Sequence, residues 1–211
     1  MSKEKNKMTS EIKQRKLIYY PIIHSLEDFG QLKEVVQRET IRQSGVASVE
    51  RKAVVIKQMW RDIEQSLLDM SLSYKKVRLY QDALAVCGKE KEIVTDMMAQ
   101  GSPNHQLLLK LMEKGATIMG TESPALLLQE YEAIKRQMTP HDNVSESFLS
   151  QQLLEQRDRY MAGRIEQTLN SGETGIIFLG ILHNLENYLS SDIEIVYPIY
   201  RPAGKISSTQ I

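Results

Sequence analysis

The stretch Gly175-Ile-Ile-Phe-Leu-Gly-Ile-Leu-His183 is apolar until it ends on an imidazole. Branched and aromatic residues in a run this short favour a buried strand. Three other runs share the design: Leu17-Ile-Tyr-Tyr-Pro-Ile-Ile-His24, Val77-Arg-Leu-Tyr-Gln-Asp82 and Ala116-Thr-Ile-Met-Gly-Thr-Glu122. Each ends on a residue that can do chemistry, and helical patterns separate each run from the next. Strands alternating with helices imply an α/β fold with a mostly parallel sheet, and such sheets bind ligands beyond the carboxyl ends of their strands. A fifth, short strand is expected over Asp192 to Tyr197. The fold class is therefore a sheet of about five strands with flanking helices, and His24, Asp82, Glu122 and His183 are expected to converge on one crevice.

Between the first two runs lies an unusually large helical insertion, about 25–73. Ser25 can cap its first segment, with Asp28 at the position where a capping box usually has the longer glutamate, and Gly45 punctuates it. From Ser48 to Met70 the apolar positions Val49, Ala53, Ile56, Trp60, Ile63, Leu67 and Met70 alternate steps of four and three, a helical pattern. That stripe suits a helix packed on the sheet, and it equally suits the seam of a homodimer through the 48–70 helix, with Val54, Val55, Met59 and Leu68 widening the apolar face. Further on, Ser102-Pro103 and Ser123-Pro124 each combine a capping serine with a proline in the first turn, and Gly115 ends the helix before the third run. A polar loop from Thr139 to Ser145 carries His141 and precedes a long helix, about Glu146 to Asn170. Residues 17–202 read as one α/β domain, flanked by polar tails over 1–16 and 203–211.

Composition narrows the classes of function. The chain has 211 residues, enough for one ample core, and its 27 basic and 27 acidic residues leave no net charge. A nucleic-acid binder normally carries a basic excess, so none is expected. Cys87 is the only cysteine, which excludes an internal disulfide and any zinc site built from several cysteines, and which suits a cytoplasmic protein. No apolar run approaches the roughly 20 residues that span a bilayer, so no membrane partner is expected. Nothing resembles a phosphate-binding glycine loop or a dinucleotide fingerprint.

Two imidazoles with carboxylates nearby are a donor set for a divalent metal such as manganese, cobalt or zinc, with His24, His183 and Glu122 as ligands. The alternative for each histidine is a ring satisfied by a backbone carbonyl. Glu122 could equally act as general base for a water or cap the helix that follows it, and Asp82 could be a ligand, a base or a turn residue. Asn104 and His105 occupy a helix start, either at the crevice rim or solvated. Arg157, Met161 and Arg164 share a helix face by their spacing of four and three; the two arginines suit an anionic substrate group or surface ion pairs. Cys87 has no evident base nearby and is a poor nucleophile.

Gly180-Ile-Leu-His183, preceded by Arg157-Asp-Arg-Tyr-Met-Ala-Gly-Arg-Ile165, resembles the C-terminal half of TraB/Tiki-type proteins. These have a G-x-x-H motif at one or both ends of the domain, with an arginine-rich helix upstream of the last. They belong to a wider group that includes erythromycin-esterase-like and ChaN-like proteins, and some Tiki members are metal-dependent proteases. On the N-terminal side the chain has Pro21-Ile-Ile-His24, with proline in place of the glycine. By position, the resemblance implies that His24 and His183 are metal ligands, with Glu122 a candidate third.

The residues and the resemblance together lead to a metal-dependent hydrolase that cleaves an amide or ester bond of a small-molecule or peptide substrate. Asp82, Glu122, Arg157 and Arg164 would serve catalysis around a metal bound by His24, His183 and Glu122. The alternative is a non-enzymatic small-ligand sensor or interaction module of the same fold.

Overall fold

The alternation of apolar runs with helical segments builds a five-stranded, all-parallel sheet. The computed structural model describes residues 14–137 and 144–199. The loop around His141 and the two expected tails fall largely outside those residues. In chain order the elements are β1 (Arg15–Ile22), a 3-10 segment (Leu26–Leu32), α1 (Lys33–Ser44), α2 (Val46–Leu68), β2 (Val77–Gln81), α3 (Glu90–Ala99) and α4 (Pro103–Glu113). They continue with β3 (Thr117–Met119), α5 (Pro124–Gln137), α6 (Val144–Thr168), β4 (Thr174–Gly180) and β5 (Ile193–Val196). Across the sheet the order is β3-β2-β4-β1-β5.

Successive residues of a strand point to opposite faces, and each face buries its own core. On one side Ile18, Tyr20, Leu79 and Phe178 pack with Trp60, Ile63 and Leu67 of α2 and Leu108 of α4. On the other, Leu17, Tyr19, Ile177 and Leu179 meet Met161 and Ile165 of α6 and Leu169 just beyond its end. The stripe of α2 is thus spent largely inside the chain: Ile56, Trp60, Ile63 and Leu67 are buried, and Met59 packs partly against the same core. That is the packed-helix alternative to the dimer seam, although Val54 and Val55 stay exposed. Among the described residues no helix is long and apolar enough to cross a membrane.

Strand limits differ from the sequence reading. Arg15 and Lys16, read as the end of a tail, belong to β1, where Arg15 bonds Asp192 and Glu166 through its side chain. His24 and His183 lie beyond their strands in the exit turns; the β1–β4 ladder ends at Ile22 and Gly180, and the His183 N–H closes a turn onto the Gly180 carbonyl at 3.0 Å. A ring carried on such a turn can lean across the sheet edge instead of standing normal to the sheet.

Candidate active site

The exit turns of β1, β2 and β4 bring His24, Asp82 and His183 together, and Asp82 is the hub. Its Oδ2 accepts from the Gly180 N–H at 2.8 Å, lies 3.0 Å from His24 Nε2 and 3.5 Å from His183 Nε2. Its Oδ1 accepts from Arg157 at 2.9 Å. The glycine of the G-x-x-H motif has a direct reason here. A Cβ on Gly180 would stand 2.9 Å from Asp82 Oδ2 and 3.2 Å from His24 Nε2, so a side chain would push the two apart.

Arg157 comes down from α6 and joins the acids. Its Nε and Nη2 grip the two oxygens of Glu122 at 2.6 Å each, Nη2 also reaches Asp82, and Nη1 bonds Glu130 of α5. This is the bidentate fork that guanidinium makes with carboxylate. Glu122 Oε1 also accepts from the backbone N–H of Ala83 at 2.8 Å. Ala83 holds a left-handed backbone, φ 61°, unusual for a residue with a Cβ and often met at functional sites. His183 is aimed from behind: Asp158 takes its Nδ1 at 2.6 Å and the Asn184 N–H at 3.0 Å, which leaves Nε2 facing Asp82.

Charge and burial set the protonation of the cluster. Burial works against a charged His24 ring, but the charge and hydrogen bond of Asp82, with Asp28 and Glu130 behind them, outweigh it and raise the pKa to about 9. His183 is raised for similar reasons: burial opposes the charge, and Asp82 and Asp158 favour it. Burial alone would raise Asp82; the two imidazoliums and Arg157 hold it well below the ordinary aspartate range instead. Glu122 and Glu130 are both raised, burial being the largest cause, with Arg157 opposing it.

A raised histidine binds its proton more tightly in the folded state than in the unfolded one. The pairing of His24 therefore contributes its full stability below the unfolded histidine pKa, near 6.5, and loses it as pH rises through about 9. The melting temperature is expected to fall across that interval, and His24→Gln should shrink the fall. A wild-type melting temperature that stays flat from neutral pH to above 9 would contradict this protonation state.

The sequence candidates sort as follows. His24, Asp82, Glu122, His183 and Arg157 come together. Arg164 does not; it donates to the Gly120 carbonyl and to Gln167, each at 3.3 Å. Asn104 and His105 are buried, not solvated, and His105 belongs to a neighbouring chain of hydrogen bonds. There Ser102 Oγ lies 2.8 Å from His105 Nδ1 and donates to Asp28 Oδ1 at 2.6 Å, while Asp28 Oδ2 accepts from the Ser25 N–H at 2.8 Å and stands 3.9 Å from His24 Nδ1. Two members of the cluster escaped the sequence reading. Asp158 shares a helix face with Met161, Ala162 and Ile165, all buried, and Glu130 sits in the face that carries Leu127 and Ile134, so a lone acid in an apolar face was the available signal.

No family model, curated protein or solved structure matches this chain. The TraB/Tiki resemblance accordingly rests on its motif residues, and the chemistry of the cluster is read from its own geometry.

Glu122 does not complete a divalent-metal site with His24 and His183. Among the described residues no three His, Cys, Asp or Glu side chains are placed to hold a metal ion. Both oxygens of Glu122, the expected third ligand, are taken by Arg157 and the Ala83 N–H. A cation at Asp82 would have to replace the proton that His24 shares with Asp82 and would stand beside the Arg157 guanidinium, charge against charge.

Above the cluster lies a cavity of about 990 Å³, between the helical insertion on one side and α5 and α6 on the other. Only two ionisable side chains of the cluster open substantially to solvent, His24 at 29% and Glu130 at 35% exposed. Asp82, Glu122, Arg157, His183 and Asp158 are each at most 7% exposed. The buried five form a support, and the exposed two are what a ligand in the cavity meets.

Proposed function

We propose that the protein is a hydrolase of an ester or amide bond, with Glu130 as general base and His24 as general acid, and that this chemistry is carried by side chains without a metal. The observation that carries the proposal is the division just described: a closed set of buried charges from which one carboxyl and one imidazole emerge into a ligand-sized cavity. Their environments suit the two roles. His24 keeps its proton up to about pH 9, while Glu130 is raised above the ordinary glutamate range and so is a stronger base than a solvated carboxylate. His24 Nε2 is engaged by Asp82, whereas Nδ1, at 3.9 Å from Asp28, is beyond hydrogen-bond reach and has a proton to give.

In this reading a water beside Glu130 attacks the carbonyl carbon and loses its proton to that carboxylate. The C–O or C–N bond of the tetrahedral intermediate breaks as the leaving oxygen or nitrogen takes the proton of His24. Glu130 then returns a proton to the imidazole through solvent. Asp82 holds the His24 ring and favours its charged form, and Arg157 keeps Asp82, Glu122 and Glu130 together without touching the substrate.

A panel of p-nitrophenyl esters and anilides of increasing chain length, assayed in excess chelator and again with manganese, cobalt or zinc, tests the reaction class. Turnover that is indifferent to the chelator is expected. Turnover that appears only with an added metal would restore the metal-dependent reading, and no turnover with any compound would leave a ligand-binding module.

A further inference from the structure

The cavity over the strand ends has a charged floor and apolar walls. The walls come from Leu26, Phe29, Val36 and Ile56 of the insertion and from Leu127 and Ile134 of α5. Helix α1 lies along this wall without burying any of its residues, so its inward face, Val36 and Thr40, lacks apolar cover of its own. The mouth differs again. Lys52 and Lys57 of α2 line the cavity and are exposed, which places them where it opens to solvent. Other lysines of the insertion and α4 are paired, Lys33 with Glu27 at 3.2 Å and Lys110 with Glu64 at 2.6 Å; Lys52 and Lys57 have no carboxylate partner among the described residues. Glu27, one of the acids of the lining, is already committed to Lys33.

We propose that the cavity takes an amphipathic anion: an apolar chain lying between the insertion and α5, with a carboxylate or phosphate at its far end held by Lys52 and Lys57. As a statement of substrate class this rests on the hydrolytic reading, because it places the scissile bond at His24 and Glu130 and the charge at the end away from it. The sorting of the walls supports the orientation. A charged end turned inward would lose water against apolar side chains, whereas at the mouth it keeps part of its hydration and gains two unpaired cations. A volume of about 990 Å³ lies at the upper end of the range for drug-sized ligands, so a chain of ten carbons fits with room to spare.

The test is isothermal titration of the full chain with decanoate, decyl phosphate, hexanoate, decanol and decyltrimethylammonium. Both ten-carbon anions are expected to bind, and hexanoate on the order of 100-fold more weakly, since it lacks four methylenes that are each worth about fourfold in affinity when buried. Decyltrimethylammonium should bind more weakly than either anion. Reversing both cations, Lys52→Glu with Lys57→Glu, should cost the anions about tenfold or more while decanol, which has no charge to lose, keeps its affinity. Ala53→Trp, which fills the cavity from α2, should weaken decanol as well. The ratio of decanoate to decyl phosphate identifies the headgroup. The proposal is overturned if the ammonium probe binds as tightly as decanoate, if anion affinity survives the double reversal, or if none of the probes binds. Because the titrations read binding alone, they fail separately from the hydrolytic reading, which turnover of uncharged esters decides.

Discussion

Arg157→Leu is expected to destabilise the protein by about 3–5 kcal/mol, more than any other single change in the cluster. The substitution leaves Asp82 and Glu122, 3% and 1% exposed, without the guanidinium that bonds both. Buried charges without a partner cost far more than the pair gains when intact, because the lost hydration is not returned. For a chain of this size the loss corresponds to a fall in melting temperature on the order of 10 °C. Two further readings separate this cause from simple loss of packing. Adding Glu122→Gln to the variant removes the charge that Arg157 gripped with two nitrogens and should recover part of the stability, so the two changes will not be additive. The single variant should also gain stability as pH falls toward 5: an unpaired buried carboxylate has its pKa raised in the folded state, so the native form takes up more protons. A variant as stable as the parent would mean that the cluster is not held by Arg157.

Glu130→Gln is expected to reduce kcat by roughly 10²–10⁴, the range over which a positioned general base acts. The same change should leave the melting temperature nearly unaltered. Glu130 is the most exposed member of the cluster, and glutamine keeps an oxygen that can accept from Arg157 Nη1. Loss of activity with a stable fold is the signature of chemistry, whereas loss of both would assign Glu130 to support. His24→Gln should show a similar fall in kcat. It also removes one of the two imidazoliums that Asp82 faces, so the fall in its melting temperature between neutrality and pH 9 should be smaller than in the parent.

The parts of the site that were legible in the sequence are those that strand periodicity controls. Gly175 to His183, Leu17 to His24 and Val77 to Asp82 read as apolar strand runs, and an all-parallel sheet gathers the residues at their carboxyl ends. That is why His24, Asp82, Glu122 and His183 could be brought to one place without coordinates. How they bond there was not legible, because it depends on turns. Asp82 becomes the hub through the Gly180 N–H, and Glu122 is drawn away from any ligand role by Arg157 and by the left-handed backbone at Ala83. The helices hid the rest. A helix acid turned inward, such as Glu130 or Asp158, has the same composition signal as one turned to solvent, and only the burial of its i+3 and i+4 neighbours tells them apart. Arg164 shows the converse: its spacing from Arg157 put it on the same face, yet two turns along α6 carried it to the Gly120 carbonyl.

The stripe of α2 carries a related lesson. A regular alternation of steps of four and three fits a helix on a sheet and a helix in a coiled seam equally well, and nothing within the stripe chooses between them. The sheet takes one part of the stripe, while Val54, Val55 and Leu68, which widen the face for a partner helix, stay exposed. Trp60 meets the ring of Phe178 at 5.7 Å, and Ile63 and Leu67 have no exposed surface left to offer a partner beyond 1%.

The central claim, that His24 and Glu130 form a working acid–base pair on a support of buried charges, is tested most directly by the pH dependence of kcat/KM for the best uncharged ester, measured in excess chelator. The account predicts a bell. Its alkaline limb falls near pH 9 as His24 loses its proton, and its acidic limb lies above the ordinary glutamate range and disappears in Glu130→Gln. A rate that climbs steadily through pH 9, or an acidic limb that survives unchanged in Glu130→Gln, would contradict it.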